Sequence, residues 1–266
     1  MKKGKLSFED KYELYESSVQ NPECDIDFIN QEFKKMNNRK PLTVREDFGG
    51  TGMMSNMWVT QSSKHFAYAV DLDPEPIEYG KKNHYTKLNK NSQKRMKYVL
   101  GNVLEERDFK VDVAVAFNFS YFIFKERKTL LKYFKKVKKG LKKEGMFFLD
   151  IFGGYDSMER TVEETDHGKF SYFWDCDSYN PLTSECLYYI HFKDNKKNIK
   201  YERAFTYDWR MWSPQELVEL LEEAGFKDVN TYWEEDGDDG DGNGVFYKSK
   251  KEENCPSWVT YVVARV

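Results

Sequence analysis

Short apolar runs alternate with longer amphipathic segments along most of the chain, and this alternation constrains its fold more than any other feature. Buried parallel strands are short and apolar, whereas the helices that connect them are longer and have one apolar face. The alternation therefore predicts βαβ units and an α/β fold with a mainly parallel sheet. The predicted strands are 42–44, 65–71, 96–100, 111–117, 146–152, 229–233 and 258–264.

Composition and charge exclude several other classes of protein. The 266 residues are enough for one large domain with an embedded extension, and 39% of them are hydrophobic, so the chain is not disordered. A net charge of -3 provides no general attraction to nucleic acid. No segment approaches the about 18 apolar residues of a membrane span, and the four cysteines lack the spacing of a zinc site. We therefore expect a cytoplasmic protein that binds no membrane, nucleic acid or metal.

The first part of the chain predicts two helices ahead of the sheet. Ser7 is a typical N-cap for a helix over residues 8–19, and Asp25 is the predicted N-cap of a second helix. The second helix has apolar residues at helical spacing, namely Ile26, Ile29, Phe33 and Met36. We interpret residues 1–40 as a helical lid and residues 41–266 as the main domain.

Residues 153–212 predict an antiparallel extension after the fifth strand of the sheet. This part of the chain is rich in aromatic and β-branched residues, and turn signals divide it into segments. The predicted strands of the extension are 170–179, 186–192 and 199–210. We expect this extension to cover the substrate side of the main domain.

The C-terminal part predicts one helix with clear boundaries and one long loop. Ser213 and Glu216 have the spacing of a capping box, and Gly225 is a typical residue after a helix C-terminus. Residues 234–256 are acidic and glycine-rich, which predicts a mobile loop between the last two strands.

A glycine-rich turn at residues 46–52, between the first predicted strand and the next helix, indicates a ligand site. Such a turn lets a ligand approach the backbone beside a helix N-terminus. Asp71 follows about 20 residues after Gly50, where an acid accepts hydrogen bonds from ribose hydroxyls. Glu46 would repel a pyrophosphate but suits a positively charged ligand such as S-adenosylmethionine, which carries a sulfonium and an ammonium group. The structural alternatives are a tight connection at the turn and a capping role for Asp71.

These residues resemble motifs of the class I S-adenosylmethionine-dependent methyltransferases. Residues 46–52 are similar to the acid-x-Gly-x-Gly-x-Gly turn of that family, and residues 70–74 are similar to its second motif. Segments 44–51, 118–122 and 205–210 resemble a largely uncharacterised subgroup with a Leu-Arg-Glu-Asp-Phe-Cys-Gly-Thr signature. The resemblance covers nearly the whole chain. It implies a Rossmann-like, seven-stranded sheet whose last strand is antiparallel, and S-adenosyl-L-methionine as the cofactor.

The resemblance also implies roles for individual residues. Gly50 and Gly52 would let the methionine part of the cofactor pass close to the backbone, and Glu46 would lie near its ammonium group. Asp71 would accept hydrogen bonds from both ribose hydroxyls, and Asn102 would accept one from the adenine amino group. The predicted cofactor-binding residues are Glu46, Phe48, Gly49, Gly50, Thr51, Gly52, Asp71, Leu72, Asn102, Val103 and Asn118.

Candidate substrate contacts come from two aromatic segments. Ligands of open α/β sheets bind beyond the carboxyl ends of the strands, which places Asn118 and Tyr121 near the reacting groups. Strand alternation puts Tyr207 and Trp209 on one face of the extension and Asp208 on the other. The predicted substrate-binding residues are Tyr121, Tyr207, Trp209, Arg210 and Trp212. Core packing is the alternative interpretation of both segments.

Methyl transfer from a sulfonium is an in-line displacement, which requires close and dry alignment but no covalent nucleophile. The predicted catalytic residues are Asn118, Tyr121 and Asp208. His191 is a further candidate base, although a lone histidine in a strand is more often a packed residue.

Three functions remain open at the level of the sequence. The leading hypothesis is a methyltransferase that acts on a nitrogen or oxygen atom of a small molecule. The second is a methyltransferase for protein or RNA, which the lysine-rich segment 125–143 would favour only if it bordered the cleft. The third is a non-catalytic cofactor-binding module or a nicotinamide oxidoreductase.

Overall fold

The computed structural model describes residues 2–237 and 242–266. Within these described residues, thirteen strands and seven α-helices form two sheets and the layers that cover them. The strands are β1 Lys2–Lys3, β2 Thr43–Asp47, β3 Phe66–Asp71, β4 Met96–Leu100, β5 Val111–Ala116, β6 Leu141–Gly153, β7 Val162–Asp166, β8 Phe170–Tyr179, β9 Glu185–Asp194, β10 Ile199–Arg210, β11 Lys227–Asp236, β12 Gly242–Ser249 and β13 Trp258–Arg265. The helices are α1 Phe8–Val19, α2 Pro22–Asn37, α3 Met53–Gln61, α4 Pro74–Asn83, α5 Lys90–Arg95, α6 Arg127–Lys139 and α7 Pro214–Glu223.

The main sheet has eight strands in the order β12-β11-β13-β6-β5-β2-β3-β4. Strands β2 to β6 pair in parallel, and β13 is antiparallel to both of its neighbours. All seven predicted strands are present, so the predicted fold class is confirmed. The eighth strand, β12, occupies part of the predicted loop 234–256 and pairs with β11. That part of the prediction was wrong, and residues 238–241 of the loop lie outside the described residues.

Helices cover both faces of the main sheet. On one face, Leu130 and Phe134 of α6 and Leu217 of α7 join a core with the sheet residues that face them. On the other face, Phe33 of α2 and Trp58 of α3 do the same. Because β5 is buried along its whole length, both layers are needed to cover its apolar side chains. No helix in the described part of the chain is both long and apolar enough to cross a membrane.

The extension is a separate sheet with the order β1-β10-β9-β8-β7. The predicted strands 170–179 and 199–210 have the bounds of β8 and β10, and β9 is slightly longer than predicted. Two further strands, β1 and β7, lie at the edges. Residues of β7 are exposed throughout, so this strand has no alternation of polar and apolar residues that its sequence could reveal.

The two N-terminal helices have different positions in the fold. Ser7 caps α1 as predicted, since its side chain accepts a hydrogen bond from the Asp10 backbone. The N-cap of α2 is Asn21 and not Asp25, because Asn21 is followed by a proline at the first helical position. Helix α2 packs in the core of the main domain, so α1 alone remains a candidate lid.

Candidate active site

A cavity of about 570 Å³ lies at the carboxyl ends of β2, β3 and β5. We call it the main cavity. Its floor includes Glu46, Gly50 and Asp71, and the loop after β5 contributes Asn118. Helix α1 and the second half of β10 form its other walls. This is the position at which open α/β sheets bind their ligands.

The glycine-rich turn has the backbone conformation that its sequence requires. Gly50 and Gly52 have positive φ angles of 51° and 67°. A Cβ atom at Gly52 would lie 2.8 Å from the Tyr98 ring, whereas one at Gly50 would meet no atom within 4 Å. Gly50 is therefore needed for its conformation, and it leaves open space beside the backbone.

Asp71 connects the two predicted motifs. One carboxylate oxygen accepts a hydrogen bond from the Gly50 N–H at 2.7 Å, and the other accepts one from the Asp73 N–H at 2.8 Å. Burial raises the pKa of Asp71, and the backbone donors oppose that rise. Asp73 itself caps α4, since its side chain accepts a hydrogen bond from the Glu75 N–H. The turn and the end of β3 are thus held together around a carboxylate that also lines the main cavity.

Glu46 lies beneath the turn and faces the main cavity. Its carboxylate accepts hydrogen bonds from the backbone N–H and the hydroxyl of Ser55, at 3.1 and 2.5 Å. Burial raises the pKa of Glu46 to about 7. A group with this pKa exchanges its proton near neutral pH and responds to a nearby positive charge.

The neighbours of Glu46 have a structural role on the opposite face of β2. The Arg45 guanidinium and the Asp47 carboxylate form a buried ion pair at 2.8 Å. The Tyr133 hydroxyl donates a second hydrogen bond to Asp47 at 2.9 Å. A Cβ atom at Gly140 would lie 2.4 Å from an Arg45 nitrogen, so this glycine makes room for the guanidinium. Asp47 therefore stabilises the core through Arg45 and Tyr133, and it also lines the main cavity next to Glu46.

Sequence reasoning missed Asp150, which shapes the loop after β5. Asn118 and Phe119 both have a φ of 56°, and their backbone N–H groups donate to the Asp150 carboxylate at 2.7 and 2.9 Å. Burial raises the pKa of Asp150 to about 8. The available signal was a single acid in the otherwise apolar segment 146–152. Asp150 holds the loop so that Asn118 lines the main cavity.

Tyr121, a predicted substrate contact, lies in the core instead of the cavity. Its side chain is completely buried, and its hydroxyl donates to the Asp150 backbone carbonyl at 2.7 Å. Burial raises the pKa of Tyr121 far above its ordinary value, so it has no accessible proton to exchange. The packing alternative describes this residue.

A second, smaller cavity of about 200 Å³ is lined by several of the residues that line the main cavity. We call it the aromatic chamber. Tyr15, Asn118, Tyr207 and Trp209 line both spaces. The remaining lining residues of the chamber are Val19, Phe119, Phe152, Glu163, Tyr172, Trp174, Ile190, Ser257 and Val259. The shared residues place the chamber directly beside the main cavity.

The predicted alternation of β10 is present, but only part of it concerns the cavities. Asp208 lines the main cavity, where its exposed carboxylate pairs with Lys125. Arg210 and Trp212 line neither space. The Arg210 guanidinium stacks on the Trp212 ring at 3.8 Å and binds Glu216 at 3.2 Å. These two residues attach β10 to the start of α7, so their predicted role as substrate contacts does not fit the structure.

His191 has both ring nitrogens occupied and lies outside both cavities. Its Nε2 atom is 2.9 Å from the Asp175 carboxylate, and its Nδ1 atom accepts a hydrogen bond from the Arg203 backbone at 2.7 Å. The packed interpretation of this residue agrees with these contacts.

The remaining predicted cofactor residues lie around the turn and the end of β4. Phe48 and Thr51 line the main cavity. Leu72 is largely exposed next to Asp71, and Val103 is buried. The side-chain oxygen of Asn102 accepts a hydrogen bond from the Leu104 backbone at 2.9 Å, which orients its amide. Gly49 and Gly52 do not line the cavity and instead form the tight connection, where the Gly52 N–H donates to the Gly49 carbonyl at 2.7 Å.

Helix α1 supplies cavity residues that the sequence did not single out. Lys11, Tyr12 and Tyr15 line the main cavity. Lys11 and Tyr12 also bind the Glu75 carboxylate of α4 at 2.7 and 2.8 Å. The sequence shows that these residues have helical spacing. It does not show that α1 lies over the glycine-rich turn, and only that position makes them cavity residues.

Neither a protein-family model nor a curated protein matches the sequence. The fold does match solved structures. An S-adenosylmethionine-dependent methyltransferase from Clostridium acetobutylicum is 17% identical, with a TM-score of 0.71 and coverage of 97% of this chain and 98% of that chain. An amino pentose methyltransferase from Micromonospora echinaspora, with SAM bound, is 9% identical, with a TM-score of 0.67 and 98% of each chain covered. A sugar N-methyltransferase from a Streptoalloteichus species is 11% identical, with a TM-score of 0.64 and coverage of 98% and 94%. The chain therefore has the fold of the S-adenosylmethionine-dependent methyltransferases.

Proposed function

We propose that the protein is an S-adenosylmethionine-dependent methyltransferase that acts on a nitrogen or oxygen atom of a small molecule. The observation that carries this proposal is the Asp71 carboxylate, which is hydrogen-bonded to Gly50 at the floor of a cavity that Glu46 also lines. One acid before the glycine turn and another beside it at the end of β3 suit a ligand with an ammonium at one end and ribose hydroxyls at the other. The fold, which is that of methyltransferases, supports the same ligand.

The residues of the main cavity fit the parts of the cofactor. Both Asp71 oxygens have further lone pairs with which to accept from the ribose hydroxyls. Glu46 would pair with the ammonium group, and Leu72, Asn102 and Val103 follow the ends of β3 and β4, where the adenine would lie. When bound, the cofactor supplies an electrophilic methyl group on a sulfonium.

The chain itself contributes position and exclusion of water. Tyr207 and Trp209 lie between the main cavity and the aromatic chamber, so an acceptor in the chamber would meet the methyl donor beside their rings. Close, dry alignment of donor and acceptor is the main requirement of this displacement. A small acceptor fits a chamber of about 200 Å³ better than a protein or RNA segment does. No lysine of segment 125–143 is among the described residues that line either space. Lys125 alone reaches the main cavity, where it pairs with Asp208, and one lysine gives the RNA alternative little support.

Calorimetric titration with S-adenosylhomocysteine, and with NAD for comparison, tests the proposal. We expect S-adenosylhomocysteine to bind and NAD not to bind, because Glu46 would oppose a pyrophosphate in the turn. Preferential binding of NAD would favour the oxidoreductase alternative, and binding of neither would contradict a cofactor site at this turn.

Binding of S-adenosylhomocysteine is expected to release protons at about pH 6.5. With a pKa of about 7, Glu46 is largely protonated in the free protein at that pH, and the ligand's α-amino group is charged. The ammonium favours the carboxylate, so binding lowers the pKa of Glu46 and affinity increases as the pH rises toward 8. Titrations in two buffers of different ionisation enthalpy measure the released protons. Equal proton release by Glu46→Gln would show that another group is responsible.

We also propose that α1 is the lid of the main cavity. Glu16 accepts hydrogen bonds from Thr51 of the turn at 2.5 Å and from His84 at 2.6 Å, so one buried carboxylate connects α1 to the cofactor turn. Glu16→Ala is expected to weaken S-adenosylhomocysteine binding roughly tenfold, equivalent to about 1.4 kcal/mol. Hydrogen exchange of the α1 amides should become faster in the same variant.

The matched control for the lid is Glu13→Ala in the same helix. Glu13 is exposed and has the same charge, so its loss should change neither binding nor exchange. If both variants bind S-adenosylhomocysteine as the wild type does, α1 is not a lid.

A further inference from the structure

The aromatic chamber has a lining of unusual chemistry. Seven of its lining side chains are aromatic, and Glu163 is the only charged residue among the described residues that line it. Glu163 lies directly opposite Trp174 in the pairing of β7 with β8. The lining includes no lysine, arginine or histidine within the described ranges. The chamber therefore offers no charged partner for a carboxylate or a phosphate.

The aromatic rings are arranged as a connected wall. The Tyr207 and Trp209 ring centroids are 4.3 Å apart, and Trp174 lies 5.7 Å from Tyr207 and 6.2 Å from Trp209. Tyr188 stacks on the outer side of Trp174 at 4.7 Å and keeps that ring in place. The faces of such rings attract cations through their quadrupoles, most strongly where water is excluded.

The tyrosines of the chamber are neutral. Burial raises the pKa of Tyr15 to about 12. Burial and the nearby Tyr15 hydroxyl raise the pKa of Tyr207 well above its ordinary value. These hydroxyls can donate and accept hydrogen bonds, but they add no charge. The negative potential of the chamber comes from its ring faces and from Glu163.

We infer that the methyl acceptor is a small amine that enters the aromatic chamber as an ammonium ion. This inference rests on the proposed function. The ammonium would lie against the Trp174, Tyr207 and Trp209 rings, with Glu163 as its counter-ion. The chamber is smaller than the about 300–1,000 Å³ of a pocket for a drug-sized ligand, which limits the acceptor to a compact molecule. An acceptor carboxylate or phosphate would be buried there without a partner.

The amine must give up one proton before it reacts. That proton passes to solvent at the side of the chamber where the exposed Glu163 lies. The nitrogen lone pair then attacks the methyl carbon of the sulfonium. A nitrogen–carbon bond forms, the carbon–sulfur bond breaks, and sulfur keeps its electron pair. The products are S-adenosylhomocysteine and a methylated ammonium ion. The methylated ion then releases one proton to solvent.

The test uses three probes that share one ring: cyclohexylamine, cyclohexanol and cyclohexanecarboxylate. Each is titrated into the intact protein in the presence of saturating S-adenosylhomocysteine, and each is incubated with S-adenosylmethionine for mass analysis of methylated products. We expect the amine to bind at least about tenfold more tightly than the alcohol. The carboxylate should not bind, and only the amine should be methylated.

Two neighbouring glutamates of β7 provide the variant and its control. Glu163→Gln should weaken binding of cyclohexylamine about three- to tenfold without affecting cyclohexanol, because it removes only the charge. Glu164 points to the other face of the strand, so Glu164→Gln should leave both affinities unchanged. Both residues are exposed, and neither substitution is expected to disturb folding.

The outcomes separate the two proposals. If S-adenosylhomocysteine binds but the amine and the alcohol bind equally, the amine inference is wrong and the proposed methyltransferase function stands. Preferential binding of the carboxylate would also overturn the inference. If S-adenosylhomocysteine itself does not bind, the proposed function fails, and the inference that rests on it fails as well.

Discussion

Replacement of Asp71 by asparagine is expected to weaken the binding of S-adenosylhomocysteine by about 100-fold, equivalent to about 3 kcal/mol. The wild-type carboxylate accepts from Gly50 and Asp73 and has lone pairs left for two ribose hydroxyls. Asparagine has an NH2 group in place of one carboxylate oxygen. This donor would point either at a backbone N–H, which is also a donor, or at a ribose hydroxyl that needs an acceptor. Calorimetric titration of the purified variant measures the loss.

Asp73→Asn is the matched control for this prediction. It removes the same charge at the rim of the same cavity, but asparagine caps a helix about as well as aspartate. Its affinity for S-adenosylhomocysteine should stay within about threefold of wild type. Thermal unfolding of both variants shows whether either substitution disturbs the fold. Wild-type affinity in a folded Asp71→Asn protein would contradict the proposed ribose contact.

Replacement of Asp47 by asparagine is expected to lower the free energy of unfolding by about 3 kcal/mol. The substitution keeps the size of the side chain but leaves the buried Arg45 guanidinium without its counter-ion. At about 2–4 °C per kcal/mol for a domain of this size, the melting temperature should fall by roughly 6–12 °C. Urea and thermal unfolding measure the two quantities.

The adjacent substitution Glu46→Gln distinguishes a stabilising acid from a binding acid. Burial raises the folded pKa of Glu46 to about 7 from an ordinary value of 4.5. Between these two pH values the carboxyl ionises in the unfolded chain but stays protonated in the folded protein, so the wild type loses stability from about pH 4.5 to about pH 7. At pH 8 the Gln variant should therefore be no less stable than wild type, although it binds the ligand less well. A large loss of stability in Glu46→Gln, or none in Asp47→Asn, would reverse the roles that we assign to these neighbours.

The sequence predicted those parts of the fold that depend on local signals. The capping box at Ser213 begins α7 with both of its reciprocal hydrogen bonds, and the apolar runs of the seven predicted strands correspond to strands of the main sheet. Strands β7 and β12 were missed because they are exposed edge strands, whose side chains have no buried face to produce a period of two. They are strands because their backbones pair with β8 and β11, and their composition does not predict this pairing.

The candidate site was predictable where one residue type has one plausible role. Gly50 has the positive φ that favours its residue type, and Asp71 lines the same cavity, whereas its ribose contact stays a prediction. Asp150 was missed because its function depends on a loop that folds back to it from more than thirty positions earlier in the chain. Tyr121 and Trp212 were assigned to the substrate because an aromatic residue in a segment gives no indication of whether it faces the core or a cavity.

Within the described parts of the chain, the two sheets share no strand. The turn that we assign to the methyl donor belongs to the main sheet, and six of the thirteen residues that line the aromatic chamber belong to the extension. The backbone that carries these six residues is separate from the strands that hold Asp71 and Gly50. Under the proposed function, binding of the methyl donor depends on the main sheet, whereas the choice of acceptor depends partly on the extension. Substitutions in the extension can therefore change the acceptor while the glycine-rich turn stays the same.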